Sequence, residues 1–294
     1  MQLLQLPPDS LLKDVEVQIK NELDKIGLFY RIFSRVKTTE SLLYKMEEKE
    51  YGPDKKLQDL FGVRIVLYFN DDIEICETVV TRKFQKIDES RDHPDSSTFK
   101  PTRTNLIFRL DEKTSNLIEP VTRKHFIDNT FELQLRTVFS EGWHEVEHDL
   151  RYKCKEEWEG YVDHSRTLNG LVATLETCDW SIVQLFTELS YRNYKDNNLI
   201  PMIRNKFRLR FANKPLDHDM EEVLKSDKEL VKKLYRVDRD TVLFTLSKIS
   251  ISLPLTFDNI IYICNYLFMK NEEILELTPL ILKEQLAKIL VVDH

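Results

Sequence analysis

The sequence predicts an α+β protein: a mixed β-sheet flanked by helices over residues 1–155, followed by an all-helical C-terminal region over 156–294. Three observations predict it. Phe131-Glu-Leu-Gln-Leu-Arg-Thr137 alternates apolar and polar residues, the period-2 pattern of a half-buried strand, and runs directly into a helical pattern. Val63–Phe69 is a nearly continuous apolar run of the kind buried on both faces of a sheet. From about Glu156 onward the pattern is helix after helix.

In chain order, Pro7-Pro8-Asp9-Ser10 opens a helix with Leu12, Val15, Val17, Ile19, Leu23 and Ile26 at amphipathic spacing and Gly27 as its C-cap. The aromatic stretch from Phe29 to Phe33 packs this helix onto the sheet. Thr38 or Thr39 caps a helix ending near Gly52. Asp71-Asp72 begins another that ends about Thr81, and Phe84–Ile87 forms a short strand. Residues 88–98 are polar and turn-rich, hence a loop that orders on binding substrate. Leu106–Leu110 is a strand, 111–128 a second variable connection, and about Thr137 to Lys153 a helix crossing behind the sheet. Arg166–Ser190, Asp217–Val231, Arg239–Ile249 and Asp258–Met269 read as helices, with Pro254 as a breaker. Thr278-Pro279 opens a last helix to about Ile289.

Composition excludes several classes. The 294 residues with 41% hydrophobic content suffice for a sizeable core, and four scattered cysteines without a CxxC pair fit a reduced cytoplasm. No leader pattern and no membrane-length apolar run is expected. A net charge of −7 does not favour nucleic acid in bulk. Six glycines, with no Walker or Rossmann pattern, argue against a Gly-rich phosphate loop. With seven histidines and none suitably clustered, His148-Asp149 and His218-Asp219 do not make a metal phosphohydrolase site.

The chemistry-bearing residues fall in clusters. Glu132, Gln134 and Arg136 share one strand face, which is costly unless that face is wet or is a working site; a solvated edge strand gives the same alternation. Arg35 and Lys37 precede a helix on which Ser41 and Lys45 share a face, so cations and a hydroxyl converge on a helix N-terminus that already favours anions. A solvated basic face paired to Glu47, Glu48 and Glu50 is the plainer alternative. Asp59 stands before the Val63–Phe69 strand and Arg64 inside it, where a guanidinium needs a partner or a phosphate. Asp59 and Glu132, if strand pairing brings them together, would supply two oxygen ligands for Mg²⁺; otherwise Asp59 caps a turn and pairs with Arg64.

The ordered set Arg35-x-Lys37-x-x-x-Ser41-x-x-x-Lys45, Asp59-Leu-Phe-Gly-Val-Arg64, Glu132-Leu-Gln134-Leu-Arg136-Thr137 and Glu147-His148-x-x-x-Tyr152-Lys153 resembles the synthetase domain of the RelA/SpoT family over roughly residues 28–155. The resemblance implies a nucleotidyltransferase-like fold and a Mg²⁺-dependent pyrophosphokinase that moves the β,γ-pyrophosphate of ATP onto the 3′-hydroxyl of GDP or GTP. It implies that Arg35, Lys37, Ser41 and Lys45 hold the ATP phosphates and that Asp59 binds Mg²⁺. Glu132 would bind Mg²⁺ or activate the attacking hydroxyl, while Gln134 and Arg136 orient the acceptor. Arg64, His148 and Lys153 are secondary candidates.

One departure bears on the acceptor. Where the family has Tyr-x-Ser-(Leu/Ile)-His, this chain has Thr98-Phe-Lys-Pro-Thr-Arg-Thr-Asn-Leu-Ile-Phe108. Phe99 can stack on a base, or anchor the loop in the core, and Lys100 and Arg103 can take a phosphate. Residues 191–214 carry Arg192, Lys195, Arg204, Lys206, Arg208, Arg210 and Lys214, either a solvated face or an RNA site. Two alternatives therefore stand beside the alarmone synthetase: a toxin-type enzyme of the same family acting on the tRNA 3′-end or an adenosine nucleotide, and an inactive nucleotide- or RNA-binding module. The helical tail would regulate, oligomerise or select substrate, and a homo-oligomer or an antitoxin-like regulatory partner is the expected restraint on a synthetase that carries no hydrolase.

Overall fold

The computed structural model describes residues 10–48, 51–53, 55–91 and 104–292. It resolves into two compact units, one built from Met1–Lys20, Tyr30–Ile73 and Val80–Trp180, the other from Asn21–Phe29, Glu74–Val79 and Ser181–His294.

The first unit is organised around one sheet. Helix α1 (Ser10–Ile26) leads to β1 (Tyr30–Val36), α2 (Thr39–Glu48), β2 (Phe61–Leu67), α3 (Asp72–Lys83), β3 (Lys86–Arg91), β4 (Thr104–Arg109), α4 (Glu112–His125), β5 (Thr130–Thr137) and α5 (Val138–Glu147). Strand order is β1-β2-β5-β4-β3, with β2 and β5 parallel and the other neighbours antiparallel. The mixed sheet with flanking helices expected from the sequence is present.

Alternation decides the two faces. Phe61, Val63, Ile65, Leu67, Leu106, Phe108, Phe131, Leu133 and Leu135 are buried on one side. There Phe108 stacks on Phe131 with centroids 5.5 Å apart, and Phe84 meets Phe131 edge-on at 5.2 Å. Such ring pairs add about 0.5–1.5 kcal/mol beyond their area. Opposite residues in register put Arg35, Gly62, Glu132 and Ile107 in one row of the other face, and Phe33, Arg64, Gln134 and Asn105 in the next. The outer strand β3 is exposed throughout, with Lys86, Glu89 and Arg91 paired along it, charges that protect a sheet edge from further pairing.

Several boundaries differ from the sequence reading. The Phe29–Phe33 stretch belongs in part to a sheet strand, β1. Lys86–Arg91 is strand where residues from 88 onward were expected as loop, because pairing with β4 outweighs a polar composition. Within the second variable connection stands α4, whose N-cap Asp111 accepts from the Thr114 N–H at 2.7 Å.

β5 passes straight into α5 at Thr137, whose side chain accepts from the Ser140 N–H while the Ser140 hydroxyl oxygen accepts from the Thr137 N–H. The helix continues as one π-helical turn, His148–Tyr152, then a short 3₁₀ turn, and α6 (Val162–Lys195) begins. Far from crossing behind the sheet, α5 lies over its polar face, since Glu141 and Glu145 both reach Arg64.

The second unit is helical, as expected. It holds the end of α6, then α7 (Leu199–Phe207), α8 (His218–Ser226), α9 (Lys228–Arg236), α10 (Arg239–Lys248), α11 (Phe257–Cys264) with a π-helical continuation through Met269, α12 (Glu272–Leu277) and α13 (Leu280–Val292). The expected single helix Asp217–Val231 is two, because Asp227 leaves helical geometry and caps α9 through the Glu229 and Leu230 N–H groups. Gly27, at φ +74°, closes α1 as expected, and Leu255 fills the space a Cβ would take. No described helix is long and apolar enough to cross a membrane.

Candidate active site

Backbone pairing places Asp59 before any side chain is considered. The Leu57 N–H donates to Phe126 O and the Asp128 N–H to Leu57 O, and the Thr130 hydroxyl donates to Gln58 O at 2.8 Å. From the other side the Lys37 N–H donates to Leu60 O at 2.8 Å. The Asp59 loop is thus fastened to the start of β5 and the end of β1. Since β2 and β5 run parallel, Asp59 and Glu132 stand at the same end of that strand pair.

Two cations converge on Asp59. Lys37 Nζ donates to Oδ2 at 2.8 Å, and Lys45, from α2, donates to the same oxygen. Burial pushes the Asp59 carboxyl up, but the two ammonium hydrogen bonds outweigh it and hold the group below the ordinary carboxylate range. Burial depresses the Lys37 ammonium despite its bond to Asp59, with repulsion from Lys45 adding to the effect. For Lys45, burial is outweighed by Asp59 and the pKa is raised. Glu132 adds to the attraction felt by both lysines.

Helix α2 is capped by Thr38, whose Oγ1 accepts from the Ser41 N–H at 3.3 Å, so Ser41 lies in the first turn, one turn before Lys45. Arg35 is exposed on the polar face, opposite Gly62. A Cβ on Gly62 would meet only Arg35, at 3.8 Å or more, so the glycine leaves open space between Arg35 and Glu132.

Glu132 is held differently. Asn105 Nδ2 donates to its Oε1 at 3.0 Å and Gln134 Nε2 to its Oε2 at 2.9 Å. Each amide is in turn gripped by an arginine: Arg136 Nη2 donates to Asn105 Oδ1 at 3.2 Å, and Arg64 Nε to Gln134 Oε1 at 3.0 Å. Arg64 is anchored by Glu141 at 2.8 Å and by Glu145, so it pairs with α5 and not with Asp59. Arg136 is buried and also donates to the Leu135 carbonyl.

The structure therefore joins Lys37, Lys45 and Asp59 in one cluster, and Glu132, Gln134, Arg136 and Arg64 in a second. His148 and Lys153 fall elsewhere, both on the exposed carboxylate of Asp149, at 2.9 and 2.7 Å. Phe99, Lys100 and Arg103 lie outside the described residues. Sequence reasoning missed Asn105, which no motif marks, and His144. Burial, then the Arg136 and Arg64 charges, push the His144 pKa down to about 4, so the ring is neutral at neutral pH.

Among the described residues no group of three His, Cys, Asp or Glu side chains forms a metal cage. A Mg²⁺ ion needs only one or two carboxylates when substrate phosphates complete its shell. Asp59 Oδ1 is buried and accepts no hydrogen bond, an oxygen left free for such an ion. The donor set fits Mg²⁺ brought with a polyphosphate.

In the basic stretch 191–214, Arg192, Lys195, Arg204, Arg210 and Lys214 are exposed and Lys206 is half-buried. Arg208 is buried, Lys206 lies 5.5 Å from the Tyr235 ring, Arg204 5.5 Å from the Phe257 ring, and Arg210 5.7 Å from the Phe29 ring. A cavity of about 730 Å³ in the second unit is lined in part by Tyr194, Lys195 and Lys225, and Lys195 alone of the 191–214 cations lines it.

Residues 34–157 match the RelA_SpoT family model, described as a region found in RelA / SpoT proteins, so this chain carries that region. No curated protein matches the chain. Among solved structures, the small alarmone synthetase 1 from Bacillus subtilis is 20% identical, with 60% of this chain and 90% of that chain covered and a TM-score of 0.46. The same protein bound to its product pppGpp gives 20% identity, 61% and 93% coverage and a TM-score of 0.47. A GTP pyrophosphokinase family protein from Streptococcus pneumoniae gives 21%, 60% and 86%, and 0.44.

Proposed function

We propose that this protein is an ATP-dependent pyrophosphokinase that transfers the β,γ-pyrophosphate of ATP to the 3′-hydroxyl of GDP or GTP, giving AMP and a (p)ppGpp-type nucleotide. The observation that carries the reading is the pair of unlike carboxylates at one end of β2 and β5: Asp59 clamped by two lysines, Glu132 held by two amides. The RelA/SpoT region over residues 34–157 supports it.

Lys37 and Lys45, already gathered by Asp59, supply ammonium donors for the triphosphate, and Arg35 and the α2 N-terminus with Ser41 extend that cradle. Asp59, with Glu132 beside it, would hold Mg²⁺, and the ion would supply charge neutralisation for the phosphate oxygens. Glu132 accepts the proton of the 3′-hydroxyl as its oxygen bonds to the β-phosphorus. The bond from that phosphorus to the α,β-bridging oxygen breaks, and AMP leaves with the electron pair. Reactions of this kind depend chiefly on positioning and on charge stabilisation, which these residue types provide. Arg136 and Gln134 bound the acceptor side, while Phe99, Lys100 and Arg103 remain sequence-based candidates for holding the acceptor. The helical region beyond residue 155 regulates, oligomerises or selects substrate in this reading.

Incubation with γ-³²P-ATP and Mg²⁺, offering GDP, GTP, ADP, ATP and tRNA separately, tests the reading. Label on GDP or GTP is expected. Label on tRNA or an adenosine nucleotide alone would replace the acceptor, and no transfer to any of them would overturn the activity.

A further inference from the structure

We propose that Asn105 is a positioning residue that, together with Gln134, aims the Glu132 carboxylate while keeping both nearby arginines one side chain away from it. The inference rests on the reading of Glu132 as proton acceptor and deepens it.

The bonds form a single chain: Arg136 to Asn105 at 3.2 Å, Asn105 to Glu132 at 3.0 Å, Gln134 to Glu132 at 2.9 Å, and Arg64 to Gln134 at 3.0 Å. A guanidinium can only donate and a carboxylate can only accept. A side chain standing between them must accept at one end and donate at the other, which an amide does. This also fixes both amide orientations, with each oxygen toward its arginine and each NH₂ toward Glu132.

The consequence is chemical. A guanidinium bound directly to Glu132 would occupy its lone pairs with a fork of donors. Neutral amides orient the same carboxylate with one bond to each oxygen, and each carboxylate oxygen keeps a second acceptor site for substrate or metal. The arginines polarise the amides, which strengthens the grip without placing a cation on the base. Strand register makes this possible. Asn105 faces Gln134 across β4 and β5, so its side chain reaches diagonally to Glu132 on one side and receives Arg136 from the other.

Asn105→Asp keeps the shape, removes the donor and sets a second anion beside Glu132. Asn105→Ala removes the bridge without adding charge. Both are expected to lower kcat by roughly 10- to 100-fold, part of what a general base supplies, with KM for ATP unchanged. The split between a lowered kcat and an unchanged KM for ATP separates loss of aim at Glu132 from general damage to the site. Melting curves accompany both, and Asn105→Ala carries the kinetic test if Asn105→Asp does not fold. A readout independent of turnover is the ¹⁵N spectrum: the side-chain amide signals of Asn105 and Gln134 are expected to shift in Glu132→Gln. Unmoved amide signals, or folded variants with near-normal kcat, would overturn the positioning role. Absence of transfer by the wild type would instead remove the pyrophosphokinase reading, and the amide signals alone would then decide whether the bridge exists.

Discussion

Asp59 and Glu132 stand at the same end of the same strand pair, yet their surroundings are opposite. Asp59 is bound by two ammonium groups, Glu132 by two neutral amides whose far ends hold the cations. Direct ion pairing binds a carboxylate through a full counter-charge; amide support orients it through neutral donors and leaves each oxygen a further acceptor site. One polar face can therefore assign different duties to two identical functional groups through their partners alone.

The sharpest way to break this contrast is Glu132→Gln. Transfer should fall by about 10²–10⁴-fold, while stability changes by about 1 kcal/mol or less, since the new amide still accepts one of the two bonds. Near-normal turnover would end the distinction. Asp59→Asn should lose activity and, unlike Glu132→Gln, also stability, by about 1–3 kcal/mol, because Lys37 and Lys45 are left half-buried without a counter-charge. The pH dependence follows from the lowered Asp59 pKa. Its contribution is complete above the ordinary carboxylate range, about pH 4, and is lost as the pH falls through the lower folded value. Urea melts of wild type and Asp59→Asn should differ at pH 6 and converge in strong acid.

A third carboxylate has neither support and gives the smallest effect. Asp179 is buried, and its one hydrogen bond among the described residues comes from the Thr137 hydroxyl at 2.7 Å. Burial pushes its pKa up to about 6. The folded state then holds a proton that the unfolded chain, titrating near about 4, has lost, so stability falls as pH rises between these values. Asp179→Asn, which still accepts from Thr137, should stabilise the protein by about 1–2 kcal/mol at pH 7 and by almost nothing at pH 4.

Local periodicity made β5, β2 and the C-terminal helices legible, because each pattern sits within one segment. The Lys37–Asp59–Lys45 cluster was foreshadowed in residue type only; its geometry comes from the anchoring of residues 57–60 between two strands. Arg64 illustrates the limit. Its need for a partner was legible, yet its partners Glu141 and Glu145 lie on a helix whose placement over the polar face no local pattern specifies. Asn105 is invisible in sequence for the same reason, since only the β4–β5 register gives it neighbours. In the 191–214 stretch Arg192, Lys195, Arg204, Arg210 and Lys214 are exposed, as a run of cations suggests, while Arg208 is buried where no local pattern marks it.

Gly62 carries a genetic consequence. It is the one position without a side chain in the row Arg35, Gly62, Glu132 and Ile107, and a Cβ there makes only ordinary contact with Arg35. Single-base changes of a glycine codon reach valine and acidic or basic residues, and any of these would occupy the gap between Arg35 and Glu132 with the opposite face of the sheet untouched. Under the proposed reaction such alleles would separate loss of transfer from loss of the protein, so that a lineage could silence the reaction in one step and still inherit a folded chain.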